Sequence, residues 1–318
     1  MRLNPRHLWA MSAISASVAV SAQSITTSPA IITEDSKDIV ITFHSDGGNR
    51  GLVDASASTG IYAHTGVITN LSDGHWKNAP TWGTNTEKYK LTYTGPFTWE
   101  MRIPDLREYY NITASNENIE KLAFVFRNSD GSSECKTGCG GDIFVQVFPK
   151  NFPASKEAVY PGGTPKMGTE INADGSVTFC IAAPGKTNAV MMGSWNDYTA
   201  APEYVMNYQD YNGNRYFWLT LDNLEKGKDY IYYYNIDGSI NVGDPYARLV
   251  LDPNNDQYIS SSVFPGLPAY PSKKITGVPL AIFNSERDVY DWKVTDFKGV
   301  PQSDLIIYEL LIRDFTGT

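Results

Sequence analysis

The chain has 318 residues, 13% of them aromatic and 19% charged, and a formal net charge of −9. Twenty Tyr and seven Trp in a weakly charged chain exclude a disordered protein and point to a folded, β-leaning one. No basic stripe exists to release counterions from a phosphate backbone, so nucleic acid is excluded as a partner and neutral, hydroxyl-rich partners remain.

The first residues carry Arg2, Arg6 and His7, then an apolar and small-residue stretch from Leu8 to Val20, then Val20-Ser21-Ala22 before Gln23. That order predicts a secretory signal peptide over 1–22, cleaved after Ala22. The apolar run falls short of the ~20 residues a membrane-spanning helix needs, and no later segment is long enough. The expected location is secreted, periplasmic or cell surface.

From residue 38 onward the pattern is of short strands. The clearest runs are 39–43, 121–126, 143–148, 177–182, 216–221 and 230–236, each bounded by Gly, Asn, Asp or Pro clusters. Asp105 to Tyr110 predicts a single helical turn. Asn-Phe-Pro and Tyr-Pro-Gly-Gly-Thr-Pro punctuate 149–165, and Pro265, Pro268 and Pro271 mark an extended connector. The expected division is a unit over 23–152, a second over 160–272, a connector over 273–303 and a last segment over 304–318.

In the first unit, Trp76 and Trp82 stand six apart in a loop rich in Gly, Asn and Pro, where burial of both indoles is hard to arrange. Exposed aromatic faces on a rigid scaffold are what a sugar ring stacks against, with Lys77 and Asn78 available for hydroxyls. The competing reading is that one or both Trp cap the end of the unit. Tyr62 and His64 flank the loop in sequence order and are expected to border the site, Tyr62 as a carbohydrate-binding residue. Trp99 alternates with Met101 and Ile103, which predicts a core position.

Cys135 and Cys139 sit in Ser-Glu-Cys-Lys-Thr-Gly-Cys-Gly-Gly, between two strand-like runs. In an oxidising compartment they could staple that loop as a disulfide; free thiols and a metal site are the alternatives, the last wanting more soft ligands than this segment offers. Cys180 reads as a buried strand residue. His44, His64 and His75 have no ligand-like spacing, so no metal site is expected.

In the second unit, Val177-Thr-Phe-Cys-Ile181, the loop Gly193-Ser-Trp-Asn-Asp-Tyr198, the Tyr-rich run 230–236 and Asp244-Pro-Tyr-Ala-Arg-Leu-Val-Leu-Asp-Pro253 follow in order. As a set they resemble carbohydrate-binding module family 48. The last run, Leu305-Ile-Ile-Tyr-Glu-Leu-Leu-Ile-Arg-Asp-Phe315, is similar to the first barrel strand of glycoside hydrolase family 13 enzymes of the α-amylase and pullulanase type. More loosely, 38–148 resembles the small starch-binding modules of families 25 and 26.

These resemblances imply an all-β chain: two tandem immunoglobulin-like β-sandwiches followed by the first strand of a (β/α)8 barrel, cut short at residue 318. They imply Tyr198 as a stacking aromatic, with Trp195 packing under its loop. Ile240 stands where binding members carry a second aromatic. The implied parent is a retaining glycosidase that needs no organic cofactor, with α-glucan (starch, glycogen or pullulan) and the missing barrel as partners. Such an enzyme uses two carboxyl groups ~5–5.5 Å apart at the ends of several barrel strands. No such pair can be nominated here, so 1–318 is expected to be inactive, and Arg313 and Asp314 read as barrel-structure residues. The alternative is a complete, non-catalytic glycan-binding or immunoglobulin-like interaction protein of the cell surface.

Overall fold

The computed structural model describes residues 23–138, 140–287 and 293–308. Residues 1–22, expected to be a signal peptide, Cys139 and residues 309–318, including Arg313 and Asp314, lie outside the described residues. Contacts divide the chain into a unit over 1–285 and a second over 286–318. In the second, residues 302–304 form one tight helical turn, and Leu305, Ile306, Ile307 and Tyr308 are exposed without strand pairing.

In the first unit the strands are β1 (Ile25–Ser28), β2 (Ile32–Thr33), β3 (Lys37–His44), β4 (Ile61–Thr69), β5 (Thr92–Gly95), β6 (Thr98–Asp105), β7 (Ile119–Asn128), β8 (Glu134–Cys135) and β9 (Ile143–Phe148). They continue with β10 (Gly168–Ile171), β11 (Val177–Ala182), β12 (Ala189–Gly193), β13 (Asn207–Tyr211), β14 (Asn214–Leu221), β15 (Tyr230–Ile236), β16 (Ile240–Val242), β17 (Leu249–Leu251) and β18 (Leu280–Phe283). Every run expected to be a strand in this unit is one. The expected turn is α1 (Leu106–Tyr109), capped by Asp105, whose side chain accepts from the Glu108 amide.

Four sheets result. The first has the order β1-β3-β6-β5, the second β2-β9-β7-β4 with β8 on β7, the third β12-β15-β18-β17 with β16 on β15, and the fourth β10-β11-β14-β13. Among the described residues the named strands pair antiparallel, apart from β2, which runs parallel to β9. The four small sheets are arranged like the blades of a four-bladed propeller, which corrects the expected tandem immunoglobulin-like sandwiches with a barrel strand behind them.

The physical reason lies in the third sheet. β15 is buried along nearly its whole length, because Tyr232 and Tyr234 point to one side and Tyr233 to the other. Tyr232 and Tyr234 join Phe179, Met191 and Phe217 in a core shared with the fourth sheet. Tyr233 joins Val190, Met192, Leu280 and Ile282 in another, which takes in Phe148 from the end of β9. A sheet covered on both faces ties the two halves together. β18 completes it from a segment that the sequence reading gave to a connector.

The first and second sheets enclose a core of their own, with Phe43, Trp99 and Met101 facing Phe124, Phe126 and Val145. Trp99 is buried, as its alternation with Met101 and Ile103 predicted. Among the described residues no helix is long and apolar enough to cross a membrane.

Candidate functional site

β4 sends Ile61, Ala63 and Val67 into the core, and Tyr62, His64 and Gly66 to the opposite face of the second sheet. The loop carrying Trp76 and Trp82 lies flat on that outer face. Val67 and Lys77 exchange backbone hydrogen bonds of 3.1 and 2.8 Å. A Cβ on Gly66 would meet the Lys77 carbonyl oxygen at 2.8 Å, so this approach requires glycine.

Lys77 and Asn78 hold the loop down. The Lys77 Nζ pairs with Glu117 Oε1 at 2.5 Å, and Glu117, buried, also accepts from the Thr69 hydroxyl at 2.7 Å. The ammonium and the hydroxyl keep the Glu117 carboxyl below the usual carboxylate range. Asn78 adopts φ +56° and donates to the Tyr110 carbonyl at 2.6 Å. Both side chains expected to meet ligand hydroxyls are thus engaged within the fold.

The aromatic residues remain on the surface. Trp76 is half-buried and stacks on His64, ring centroids 5.5 Å apart and planes 24° apart. Trp82, 45% exposed, meets His64 edge-on at 5.0 Å and 65°. Its indole lies over Gly131, where φ is +73° and an added Cβ would come within 3.0 Å of the indole nitrogen. Burial and the Arg127 charge lower the His64 pKa, while Asp142 raises it, so the imidazole is neutral near pH 7. Its Nδ1 is buried without a hydrogen-bond partner among the described residues.

Three contributors lie outside the loop that carries the tryptophans. Arg127 sits opposite Tyr62 across the β4–β7 pair, with its guanidinium 5.4 Å from the Tyr62 ring centroid and 5.6 Å from that of Trp82. It is buried, donating to the carbonyls of Thr84 at 2.7 Å and Asn128 at 2.9 Å, and so locks the loop end beside Trp82. Phe144 on β9 extends the strip past Trp76, at 6.4 Å and 68°. Asp142, whose carboxyl is pushed up by burial, stands near enough to influence His64. The strip thus runs from Tyr62 through Trp82, His64 and Trp76 to Phe144.

Tyr198 and Trp195 lie elsewhere. Tyr198, 8% exposed, packs parallel to Tyr233 at 6.4 Å and reaches only the wall of a 520 Å³ cavity beside Asn70, Lys273 and Asp197. Its φ of +59° turns the ring inward. Trp195 stacks on Tyr204 at 5.6 Å beneath the loop, so tightly that a Cβ on Gly193 would fall 2.4 Å from the indole. Cys135 is a free, buried thiol pushed up to about 11 by burial, with Sγ 3.6 Å from the Gly47 carbonyl oxygen. Its expected disulfide partner, Cys139, lies outside the described residues.

No family model and no curated protein matches the sequence. Among solved structures it is similar to the GBS pullulanase SAP in complex with maltotetraose, at 14% identity and a TM-score of 0.21, over 69% of this chain and 23% of that one. It is also similar to a pullulanase from Bacillus acidopullulyticus, at 11% identity and a TM-score of 0.20, over 68% of this chain and 35% of that one. The chain therefore spans about a quarter and about a third of these two proteins. This is a weak link to pullulanase-type proteins, and likeness at that level says nothing about ligand or chemistry.

Proposed function

We propose that the outer face of the second sheet binds α-glucan, and that the chain is the accessory, non-catalytic front portion of an exported enzyme that acts on α-glucosidic bonds. The observation that carries this reading is the Tyr62, Trp82, His64, Trp76 strip, held in place by residues that are themselves fastened to the core. Sugar rings present C–H groups to aromatic faces, and a rigid aromatic surface loses little entropy on binding.

The rings are inclined to one another, 24° between His64 and Trp76 and 65° between His64 and Trp82. Coplanar plates suit a flat β-linked ribbon; inclined plates suit the curved path of an α-linked chain. The motif resemblances along the sequence point the same way, toward starch, glycogen or pullulan. Retarded migration in a native gel containing amylopectin, with unchanged migration in a gel containing hydroxyethyl cellulose, is the expected result. Equal mobility in both gels and in a polymer-free gel sinks the proposal.

A further inference from the structure

We infer that the platform continues beyond Trp76 into a second subsite, formed by Phe144 and the cavity beside it, and that the surface therefore selects long linear α-glucan segments over short oligosaccharides. This rests on the reading of the strip as a glycan surface.

Phe144 is half-buried, with its ring edge-on to Trp76 and the Lys121 ammonium 5.9 Å from its ring centroid. It also forms one wall of a 440 Å³ cavity, which falls within the range of roughly 300–1,000 Å³ common for small-ligand sites. Asp142 lines the same cavity, and Phe144 belongs to both the strip and the cavity. The aromatic track and the cavity are therefore continuous.

The far side of the cavity comes from the other half of the unit, through Lys186, Ser239 and Asn241, and from the segment 276–278. Two glycines let these walls meet. A Cβ on Gly141 would lie 3.0 Å from the Gly277 Cα, and one on Gly277, at φ +67°, would lie 2.7 Å from the Thr137 hydroxyl. The Gln23 amide donates to the Ser239 hydroxyl at 2.6 Å across the same seam. The cavity is a built feature of the junction.

Its chemistry suits a neutral polyhydroxyl unit. Phe144 offers an apolar face, Asp142 an acceptor, and Lys186 a donor held only loosely, 3.9 Å from Asp237. The Asn241 Oδ1 accepts from Asn235 at 2.7 Å, which fixes the orientation of that amide. A short oligosaccharide fills the space over Trp76, His64 and Trp82. Only a longer chain also reaches Phe144 and the cavity, and contacts made along one connected ligand reinforce one another.

The test is calorimetric titration of the full chain with maltotriose and with maltoheptaose. Wild type is expected to bind the longer sugar at least about tenfold more tightly. Phe144→Ala, and separately Lys186→Ala on the far wall, should bring the two affinities within about threefold by weakening maltoheptaose binding alone. Lys186 is partly exposed, so its variant keeps the test open should Phe144→Ala disturb folding. Equal wild-type affinities for the two sugars overturn the inference, as does a length preference that survives both substitutions. Wild type that binds neither sugar removes the glycan reading itself.

Discussion

Replacing Trp76 and Trp82 together by alanine is expected to abolish retardation in an amylopectin gel, and each single replacement to weaken binding at least about 30-fold, the equivalent of ~2 kcal/mol for a hot-spot aromatic. Trp76 is the half-buried indole steadied by stacking on His64, and Trp82 the exposed one inclined to that imidazole. Neither belongs to a buried core cluster, so thermal melting should change little. Trp195→Ala makes the contrast. It empties space beneath the loop 194–198, where Trp195 packs on Tyr204, Phe179 and Tyr232, and should lower the melting temperature while leaving glycan retention by the folded fraction unchanged. Full retention by the double variant would place binding elsewhere.

The second large effect is alkaline unfolding. Tyr110, Tyr232, Tyr233 and Tyr234 are buried, and burial holds each phenol above its ordinary pKa of 10. Tyr110 hydrogen-bonds with the Thr65 hydroxyl at 2.7 Å, and Tyr232 and Tyr234 donate to one oxygen of Asp244 at 2.8 and 3.1 Å. Below pH 10 these phenols are protonated whether the chain is folded or not, so their contribution to stability is intact. As pH rises above 10 the unfolded chain releases its phenolic protons and the folded one keeps them. Each phenol then removes about 1.4 kcal/mol of stability per pH unit until its folded pKa is reached. With four such groups and a typical total stability of about 5–15 kcal/mol, unfolding should be complete within a few pH units above 10. Tyrosinate absorbance and loss of β-sheet circular dichroism should include a shared cooperative step. A full tyrosinate signal reached with the circular dichroism unchanged would show these phenols to be solvated.

The all-β class and the strand runs of the first unit were legible in the sequence, because alternating apolar residues between Gly, Asn and Pro clusters have few other solutions. The exposure of Trp82 was legible for a related reason, since two indoles six residues apart in a turn-rich segment have little to bury both of them; Trp76 is half-buried against His64. What failed depends on partners remote in sequence. Lys77 is claimed by Glu117 and Asn78 by the Tyr110 carbonyl, and nothing local announces either contact. Arg127 and Phe144 sit in runs that read as interior strand. Only the registers pairing Tyr62 with Arg127 and Ala123 with Phe144 carry them to the platform side.

His64 was expected beside the loop from sequence order alone, yet its packing against both indoles needs the loop to fold back over Gly66. Tyr198 failed through the backbone: a left-handed residue at the end of its loop turns the ring into the core. The expected pair of separable sandwiches failed at β15. Its almost unbroken apolar run marks a strand buried on both faces, and both faces were needed to join the halves.

The most direct measurement is the titration of isotopically labelled protein with maltoheptaose, followed through the indole N–H resonances of its tryptophans. The signals of Trp76 and Trp82 should shift together and saturate, while those of Trp99, Trp195 and Trp218, packed in the cores or between strands, stay in place. Stationary Trp76 and Trp82 signals at saturating sugar, or a shift confined to Trp195, would contradict the assignment of the second sheet's outer face as the glycan-binding surface.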